Sequence, residues 1–184
     1  LLFCNVVAPP DADVEAPLPP MPGHAVASAK AIPLTSFHLS VTGDDVKDKT
    51  FSQDLDALAD WREIEALRFA STPGRYSTTL RLDRELAEGA SLVLDLGAVA
   101  GVASVKVAGR DAGTALVPPY ALEVGPLVGA AVEVPIEVTV TPPLRNRLIG
   151  RGEAGDPEAV QFKGKTDSLL PAGLLGPVTA TIRM

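Results

Sequence analysis

The chain of 184 residues has a formal net charge of −7, and Cys4 is its one cysteine. This acidic balance excludes the basic stripe with which proteins neutralise phosphates, and a single cysteine excludes an internal disulfide framework or a multi-cysteine metal site. No apolar run approaches the ~18 residues that cross a membrane. We therefore expect neither nucleic acid nor a membrane as a partner, and the length is typical of one domain.

The first 31 residues differ in composition from the rest. Leu1 to Val7 is an apolar run that is a candidate strand, and the sequence after it is rich in proline and acid. Such a composition favours extended or polyproline backbone. We expect residues 1–31 to form an extended linker or strap, and residues 32–184 to form the domain. Because the chain begins with leucine rather than methionine, we interpret it as a fragment of a longer protein.

Alternation of apolar and polar residues predicts the first strands of the domain. One strand is expected from Ile32 to Val41, with Phe37 and Leu39 on its apolar face. A second is expected from Arg75 to Asp83. Between them, apolar residues recur at three-residue steps, which predicts one or two helical turns within a long connection. The recurring residues are Leu55, Leu58, Trp61, Ile64 and Leu67.

The second half of the chain reads almost entirely as strands and turns. Ser91 to Val124 alternates short strands with glycine turns and a Pro-Pro-Tyr sequence, a pattern that excludes a helix. Val132 to Thr141 has a clean period of two, which places Val132 inward and Pro135 outward at an edge or a bulge. Residues 151–168 are predicted to be a loop, and residues 177–183 a last strand. The expected fold is an all-β jelly-roll sandwich.

Catalytic motifs are not recognisable in this sequence. His24 and His38 have no serine or cysteine motif near them, no G-x-S-x-G occurs, and no pair of acids is placed for glycoside hydrolysis. We therefore expect no catalytic residue and no cofactor. One alternative is a calcium site at Asp44 and Asp45, since calcium takes oxygen ligands from loops.

A few side chains are candidates for binding a sugar. Trp61 is either a core residue or a stacking platform, and Tyr120 follows Pro118-Pro119 at a strand start, where its ring could face a groove between loops. Asn146 and Arg147 could recognise a carboxylate such as that of a uronic acid. The structural alternative is that they tie the loop after the last long strand to backbone carbonyls or to Asp95.

Seven blocks in conserved order carry a family resemblance over about two-thirds of the chain. They are Asp60-Trp61, Gly74–Thr79, Leu94–Val99, Val105–Gly109, Val117–Tyr120, Arg145–Gly150 and Ala172–Val178. With these blocks the chain resembles the C-terminal galactose-binding-like β-sandwich of family 106 α-L-rhamnosidases. It is similar also to the sugar-binding domains of family 2 glycosidases.

The resemblance implies a non-catalytic accessory domain of a secreted or periplasmic glycosidase. Such a domain would pack against the catalytic domain of its own polypeptide and contribute to binding a rhamnose-containing or pectic glycan. The alternative is an independent carbohydrate-binding module. Two positions depart from the family pattern: Ala108 stands where asparagine is common, and Leu116 where tryptophan is common. Both departures lower the expectation of a sugar site and favour a structural role.

Overall fold

The computed structural model of this protein describes residues 30–183. The predicted strand Leu1–Val7, His24 and almost all of the expected linker lie outside these residues. The described part contains twelve strands: β1 (Lys30–Leu34), β2 (Phe37–Thr42), β3 (Thr50–Leu55), β4 (Gly74–Arg81), β5 (Ser91–Asp95), β6 (Ala98–Ala100), β7 (Val102–Val107), β8 (Arg110–Ala115), β9 (Ala121–Glu123), β10 (Glu133–Thr141), β11 (Gly173–Gly176) and β12 (Val178–Arg183).

Two larger antiparallel sheets make a sandwich. The order in one is β3-β2-β4-β10-β7-β8 and in the other β1-β12-β5-β9, while β11 pairs with β6 in a small third sheet. Leu39 and Val138 of the first sheet belong to the same apolar core as Leu94 and Ala180 of the second. The prediction of an all-β sandwich is confirmed, because each larger sheet buries one face against the other.

The stretch from Ser91 to Val124 folds as predicted, into β5 to β9 without a helix. β7 and β8 form a hairpin joined by Ala108 and Gly109, whose φ angles are 49° and 74°. Positive φ at both central residues is the type I′ pattern, which matches the twist of the flanking strands. Asparagine-glycine is the sequence preferred for such a turn, so Ala108 adopts a backbone conformation that its side chain disfavours.

The predicted strand from Ile32 to Val41 is two strands. β1 pairs with β12 in the four-stranded sheet, whereas β2 pairs with β3 and β4 in the six-stranded sheet. Thr35 and Ser36 make the crossing between the layers. The expected inward face of Phe37 and Leu39 is confirmed, since both side chains are buried. The apolar positions change phase at this break, from Ile32 and Leu34 to Phe37, Leu39 and Val41, and the prediction of one continuous strand overlooked that change.

The helical interpretation of residues 44–70 is only partly right. Residues 60–70 form three-residue turns, with hydrogen bonds from Ile64 N to Trp61 O, from Leu67 N to Ile64 O and from Ala70 N to Leu67 O. Three residues per turn is the period of a 3₁₀ helix, which explains the spacing of the apolar residues. The strand β3 was not predicted. It is an edge strand with no fully buried side chain, so its sequence carries little period-two signal.

β10 lies inside the six-stranded sheet, so the expectation that Pro135 marks an edge is wrong. The carbonyl of Pro135 accepts a hydrogen bond from Ala108 N at 2.9 Å. Because the N and C=O of one residue point to the same side of a strand, the missing donor of Pro135 faces the turn at Ala108 and no ladder bond is lost. Val132 is also corrected: it precedes the strand and is exposed rather than inward.

Two short α-helices complete the described part: α1 (Gly125–Val128) and α2 (Arg145–Glu153). Residues 151–168, predicted to be a loop, hold the end of α2 and the 3₁₀ turns Pro157–Phe162 and Thr166–Ser168. α2 contains two glycines, which normally disfavour a helix. Both are close-packing positions, since a Cβ on Gly152 would lie 2.7 Å from the carbonyl oxygen of Ala159. None of the helices within residues 30–183 has the length and apolarity needed to span a membrane.

Candidate functional site

An open cleft of about 560 Å³ lies between α2 and two segments that precede β4. One segment follows β2 and contributes Asp44 and Asp45; the other contributes Arg68 and Phe69. α2 presents Arg147. The cleft therefore brings together three of the residues singled out from the sequence, the two aspartates and Arg147, and we take it as the candidate site.

The carboxylate of Asp45 is the structural centre of the cleft wall. It accepts hydrogen bonds from the backbone N of Ser71 at 2.8 Å and of Thr72 at 3.1 Å, and from both hydroxyls. The side chain is only 6% exposed, and Arg147 Nε lies 3.8 Å from it. These bonds fix the segment after β2 to the residues that lead into β4.

The electrostatics of Asp45 follow from those partners. Burial pushes its pKa up, but the hydrogen bonds from Thr72 and Ser71, together with the charge of Arg147, outweigh burial and lower the pKa. The group is therefore a carboxylate at neutral pH. An acid held in this way is not available as a general acid, because that role needs a raised pKa.

The calcium alternative at Asp44 and Asp45 gains no support from their geometry. The oxygens of Asp45 are engaged by four hydrogen bonds. Asp44 is 86% exposed and lies 4.0 Å from Lys49 Nζ. Among residues 30–183, no three His, Cys, Asp or Glu side chains gather closely enough to hold a metal ion.

One face of α2 forms the opposite wall of the cleft. Arg147, Gly150, Arg151 and Ala154 line it at the spacing of successive helical turns. A Cβ on Gly150 would lie 2.6 Å from Cβ of Phe69, so the glycine lets the helix approach the phenylalanine. Arg68 lies over the same ring, with its guanidinium carbon 5.7 Å from the ring centre.

Several charges of the cleft are already paired. Lys47 Nζ bonds to Glu65 at 2.6 Å. This contact lowers the pKa of Glu65 and raises the pKa of Lys47. Arg151 bonds to Asp156 at 2.6 Å and to Glu158 at 2.9 Å. By contrast, neither Arg68 nor Arg147 donates a hydrogen bond to any of residues 30–183.

Asn146 is a structural residue and not a sugar ligand. It is fully buried; its Nδ2 donates to the carbonyl of Leu170 at 2.8 Å, and its Oδ1 accepts from Leu170 N at 2.9 Å. Arg145 donates to the carbonyl of Ser168 at 3.1 Å. For Arg145 and Asn146, the alternative that this segment ties a loop to backbone carbonyls is therefore right. Arg147 instead lies beside Asp45, and not beside Asp95.

Trp61 is a core residue, so the expectation that it could stack on a sugar is wrong. Its side chain is fully buried, and Nε1 donates to the hydroxyl of Tyr76 at 2.6 Å. Tyr120 packs half-buried against the core at the start of β9 and is not among the residues that line the cleft. The described residues thus place one of the four predicted sugar ligands, Arg147, in the cleft.

A serine and an acid do lie near His38, contrary to the sequence-based expectation. His38 Nδ1 lies 2.7 Å from Asp54 Oδ1, and Nε2 lies 3.0 Å from Ser52 Oγ. The carboxylate is 92% exposed, and ionic contacts of solvated groups are weak. A nucleophilic serine requires a base that a sheltered acid holds in place. The three exposed side chains do not provide that arrangement.

Arg68 and Phe69 are the cleft residues that sequence reasoning missed. Their signal was hidden because 79 positions (147 − 68) separate Arg68 from Arg147 in the sequence, and the sequence did not predict α2. Had a helix been predicted from residue 145, the i, i+3 spacing of Arg147 and Gly150 would have placed the arginine beside a site of close helix packing.

Comparison with known proteins places this geometry among glycosidases. No protein-family model matches the sequence, and a search of curated proteins gave no match. Among solved structures, the chain is similar to a rhamnosidase from Novosphingobium sp. PP1Y, with a TM-score of 0.73 and 28% identity. That match covers 84% of this chain and 15% of the rhamnosidase.

Two other solved glycosidase structures share the fold at lower identity. A β-glucuronidase from Faecalibacterium prausnitzii matches with a TM-score of 0.59 and 15% identity over 88% of this chain and 32% of its own. A β-D-mannosidase from Dictyoglomus thermophilum matches with a TM-score of 0.55 and 13% identity over 84% of this chain and 22% of its own. The chain thus spans a minor part of each enzyme, and its β-sandwich is of the glycosidase-associated kind.

Proposed function

We propose that this chain is a non-catalytic accessory β-sandwich domain of a multi-domain, α-L-rhamnosidase-like glycosidase that is secreted or periplasmic. Its role is to pack against the catalytic domain of the same polypeptide. The observation that carries the proposal is the rhamnosidase match, which covers 84% of this chain but only 15% of the enzyme. The buried acid of the candidate site, Asp45, has a lowered pKa rather than the raised pKa of a general acid, which is in keeping with this role.

An exposed apolar end of the sandwich supports the packing role. We define the apolar end as Leu116, Val117 and Leu144, whose exposed fractions are 65%, 70% and 57%. These residues follow β8 and β10, which flank β7. Ala115 pairs with Ala103, and Thr141 pairs with Val102. The C-terminal ends of β8 and β10 therefore both lie beside the start of β7, at one end of the sandwich. Apolar groups clustered in this way mark an interaction surface.

The occupant of the apolar end in this proposal is the catalytic domain. At Leu116, the resemblance described from the sequence leads one to expect tryptophan, and the leucine keeps the apolar character without the flat ring that stacks on a sugar. An apolar surface of this kind suits a permanent protein contact better than a hydrated glycan.

The test compares the complete reading frame that contains this chain with the 184-residue chain alone. We expect the long protein to hydrolyse an aryl α-L-rhamnoside and the isolated chain to be inactive. The double variant L116S/L144S should lower the melting temperature of the long protein but not that of the isolated chain. V132S is the matched control, because Val132 is exposed before the opposite end of β10. Hydrolysis by the isolated chain at a comparable rate would overturn the proposal.

A second candidate function is glycan binding by the domain itself. The observation that favours it is the cleft beside α2, which is large enough for a small ligand and holds two arginines without hydrogen bonds to residues 30–183. Calorimetric titration with rhamnose and pectic oligosaccharides tests this function, and no heat with any of them would leave only the packing role.

A further inference from the structure

We propose that the cleft beside α2 is a binding site for a carboxylated sugar, recognised through Arg68 and Arg147. The inference rests on the glycan-binding function given as the second candidate, and it adds the chemical class of the ligand and the residues that select it. It does not depend on the packing of this chain against a catalytic domain.

The cleft is lined by four cationic and three acidic side chains. Its acids have partners: Asp45 is engaged by Ser71 and Thr72, Glu65 by Lys47, and Asp44 lies near Lys49. Arg151 is likewise engaged by Asp156 and Glu158. The guanidinium groups left without a hydrogen bond to residues 30–183 are those of Arg68 and Arg147. Arg147 faces the carboxylate of Asp45 at 3.8 Å, so among residues 30–183 Arg68 is the lining cation without an ionic partner, and it favours an anionic ligand in the cleft.

The two arginines are held in place by different contacts. Arg147 approaches Asp45 with Nε at 3.8 Å, so the carboxylate restrains the base of the guanidinium and leaves its two terminal nitrogens as donors. Arg68 is restrained by the ring of Phe69, 5.7 Å from its guanidinium carbon. Phe69 in turn packs against Gly150, one helical turn beyond Arg147. Arg68 and Gly150 therefore approach the same aromatic side chain, and Arg147 lies one helical turn before that glycine.

This arrangement matches the chemistry of a uronic acid. A planar guanidinium donates two parallel hydrogen bonds to a carboxylate, a geometry that lysine cannot reproduce. The half-buried ring of Phe69 offers an apolar surface to the C–H face of a pyranose. A volume of about 560 Å³ accommodates one or two sugar units. A neutral sugar offers only hydroxyl and ring oxygens, which form weaker hydrogen bonds with a guanidinium than a carboxylate does, and this is the basis of selectivity.

The experiment titrates the 184-residue chain with D-galacturonate, its methyl ester, D-galactose and acetate, followed by calorimetry or amide chemical shifts. We expect binding of galacturonate and at least tenfold weaker binding of the ester and of galactose. Galacturonate should also bind R68Q and R147Q about tenfold more weakly or worse, because each variant loses a charged hydrogen-bonding group.

Two further variants keep the result interpretable. R147K retains the positive charge and the contact with Asp45 but not the planar guanidinium that donates two parallel hydrogen bonds. If its melting temperature is unchanged, it should bind galacturonate as weakly as R147Q does. R84Q is the matched control, since Arg84 is an exposed arginine that lines a different cleft. The proposal is overturned by any of three results: no binding of galacturonate at millimolar concentration, acetate binding as tightly as galacturonate, or equal losses in R84Q and R68Q.

Discussion

The indole Nε1 of Trp61 and the hydroxyl of Tyr76 are joined by a hydrogen bond of 2.6 Å in the middle of the apolar core. The same hydroxyl accepts a bond of 3.0 Å from the backbone N of Leu174 in β11. One phenol oxygen therefore satisfies two buried donors that come from an irregular turn and from the small third sheet. Unpaired, each of those donors would cost free energy, because water does not reach them.

Replacing Tyr76 with phenylalanine should lower the free energy of unfolding by about 2 to 4 kcal/mol, because the Trp61 and Leu174 donors both lose their acceptor. Urea unfolding measures the change. Y120F is the matched control, since Tyr120 is half-buried and its hydroxyl bonds to none of residues 30–183. We expect that control to stay within about 0.5 kcal/mol of the parent chain. A Y76F variant as stable as Y120F would contradict the assignment.

Tyr76 should also make the domain sensitive to alkali. Burial raises its pKa to about 12, against an ordinary value of about 10 in the unfolded chain. Below pH 10 both states hold the proton, so the full stability is present. Between pH 10 and 12 the unfolded state releases it first, and stability falls by up to about 3 kcal/mol. This part of the decline should be missing in Y76F, and a parallel decline in both proteins would assign it to other groups.

Asp45 should stabilise the fold more than its neighbour Asp44 does. D45N removes the negative charge that four hydrogen-bond donors and Arg147 face. We expect it to lower the free energy of unfolding by about 2 kcal/mol at pH 7. D44N is the control in an exposed position and should change little. Because the pKa of Asp45 is lowered on folding, its contribution is present above about pH 4 and is lost as the pH falls further. Equal acid sensitivity of D45N and the parent chain would refute this account.

The turn between β7 and β8 offers a stabilising change. A108N should raise the free energy of unfolding by about 0.5 to 1 kcal/mol, since asparagine tolerates the positive φ of 49° better than alanine. G109A should lower the free energy of unfolding. A Cβ there would meet nothing within 4 Å, so its cost of about 1 kcal/mol would come from backbone strain alone. Thermal unfolding of both variants tests this. Destabilisation by A108N would show that the positive φ at position 108 does not lower the stability of the turn.

The sheets could be predicted from the sequence because their signal is local. In β4 and β5 large apolar residues recur at alternate positions, and Tyr76, Leu80, Leu92 and Leu94 are buried as the alternation requires. The edge strand β3 was not predictable, since its sequence carries little period-two signal. The break at Thr35 coincides with a shift of the apolar positions from Leu34 to Phe37, which the prediction of one strand overlooked. The neighbours that decide these features, β12 and β4, are distant in the chain.

Three of the blocks that carried the family resemblance, those with Trp61, Gly74 and Gly173, meet in one close contact. Trp61 lies between two glycines: a Cβ on Gly74 would come within 2.4 Å of its ring, and one on Gly173 within 2.5 Å of Nε1. Asp60 caps the turn, accepting from Arg62 N at 2.9 Å. The pattern marks a close contact between distant segments, whereas the sequence alone left the tryptophan as either a core residue or a stacking platform.

The bond between Asn146 and the peptide group of Leu170 has a consequence for which sequences can carry this fold. The amide of Asn146 recognises only the backbone of position 170, whose side chain is 39% exposed. Position 170 can therefore accept many side chains, whereas position 146 requires a donor and an acceptor at one fixed spacing. In a saturation mutagenesis screen for folded protein, substitutions should be tolerated widely at 170 and almost never at 146, although the two residues share the same pair of hydrogen bonds.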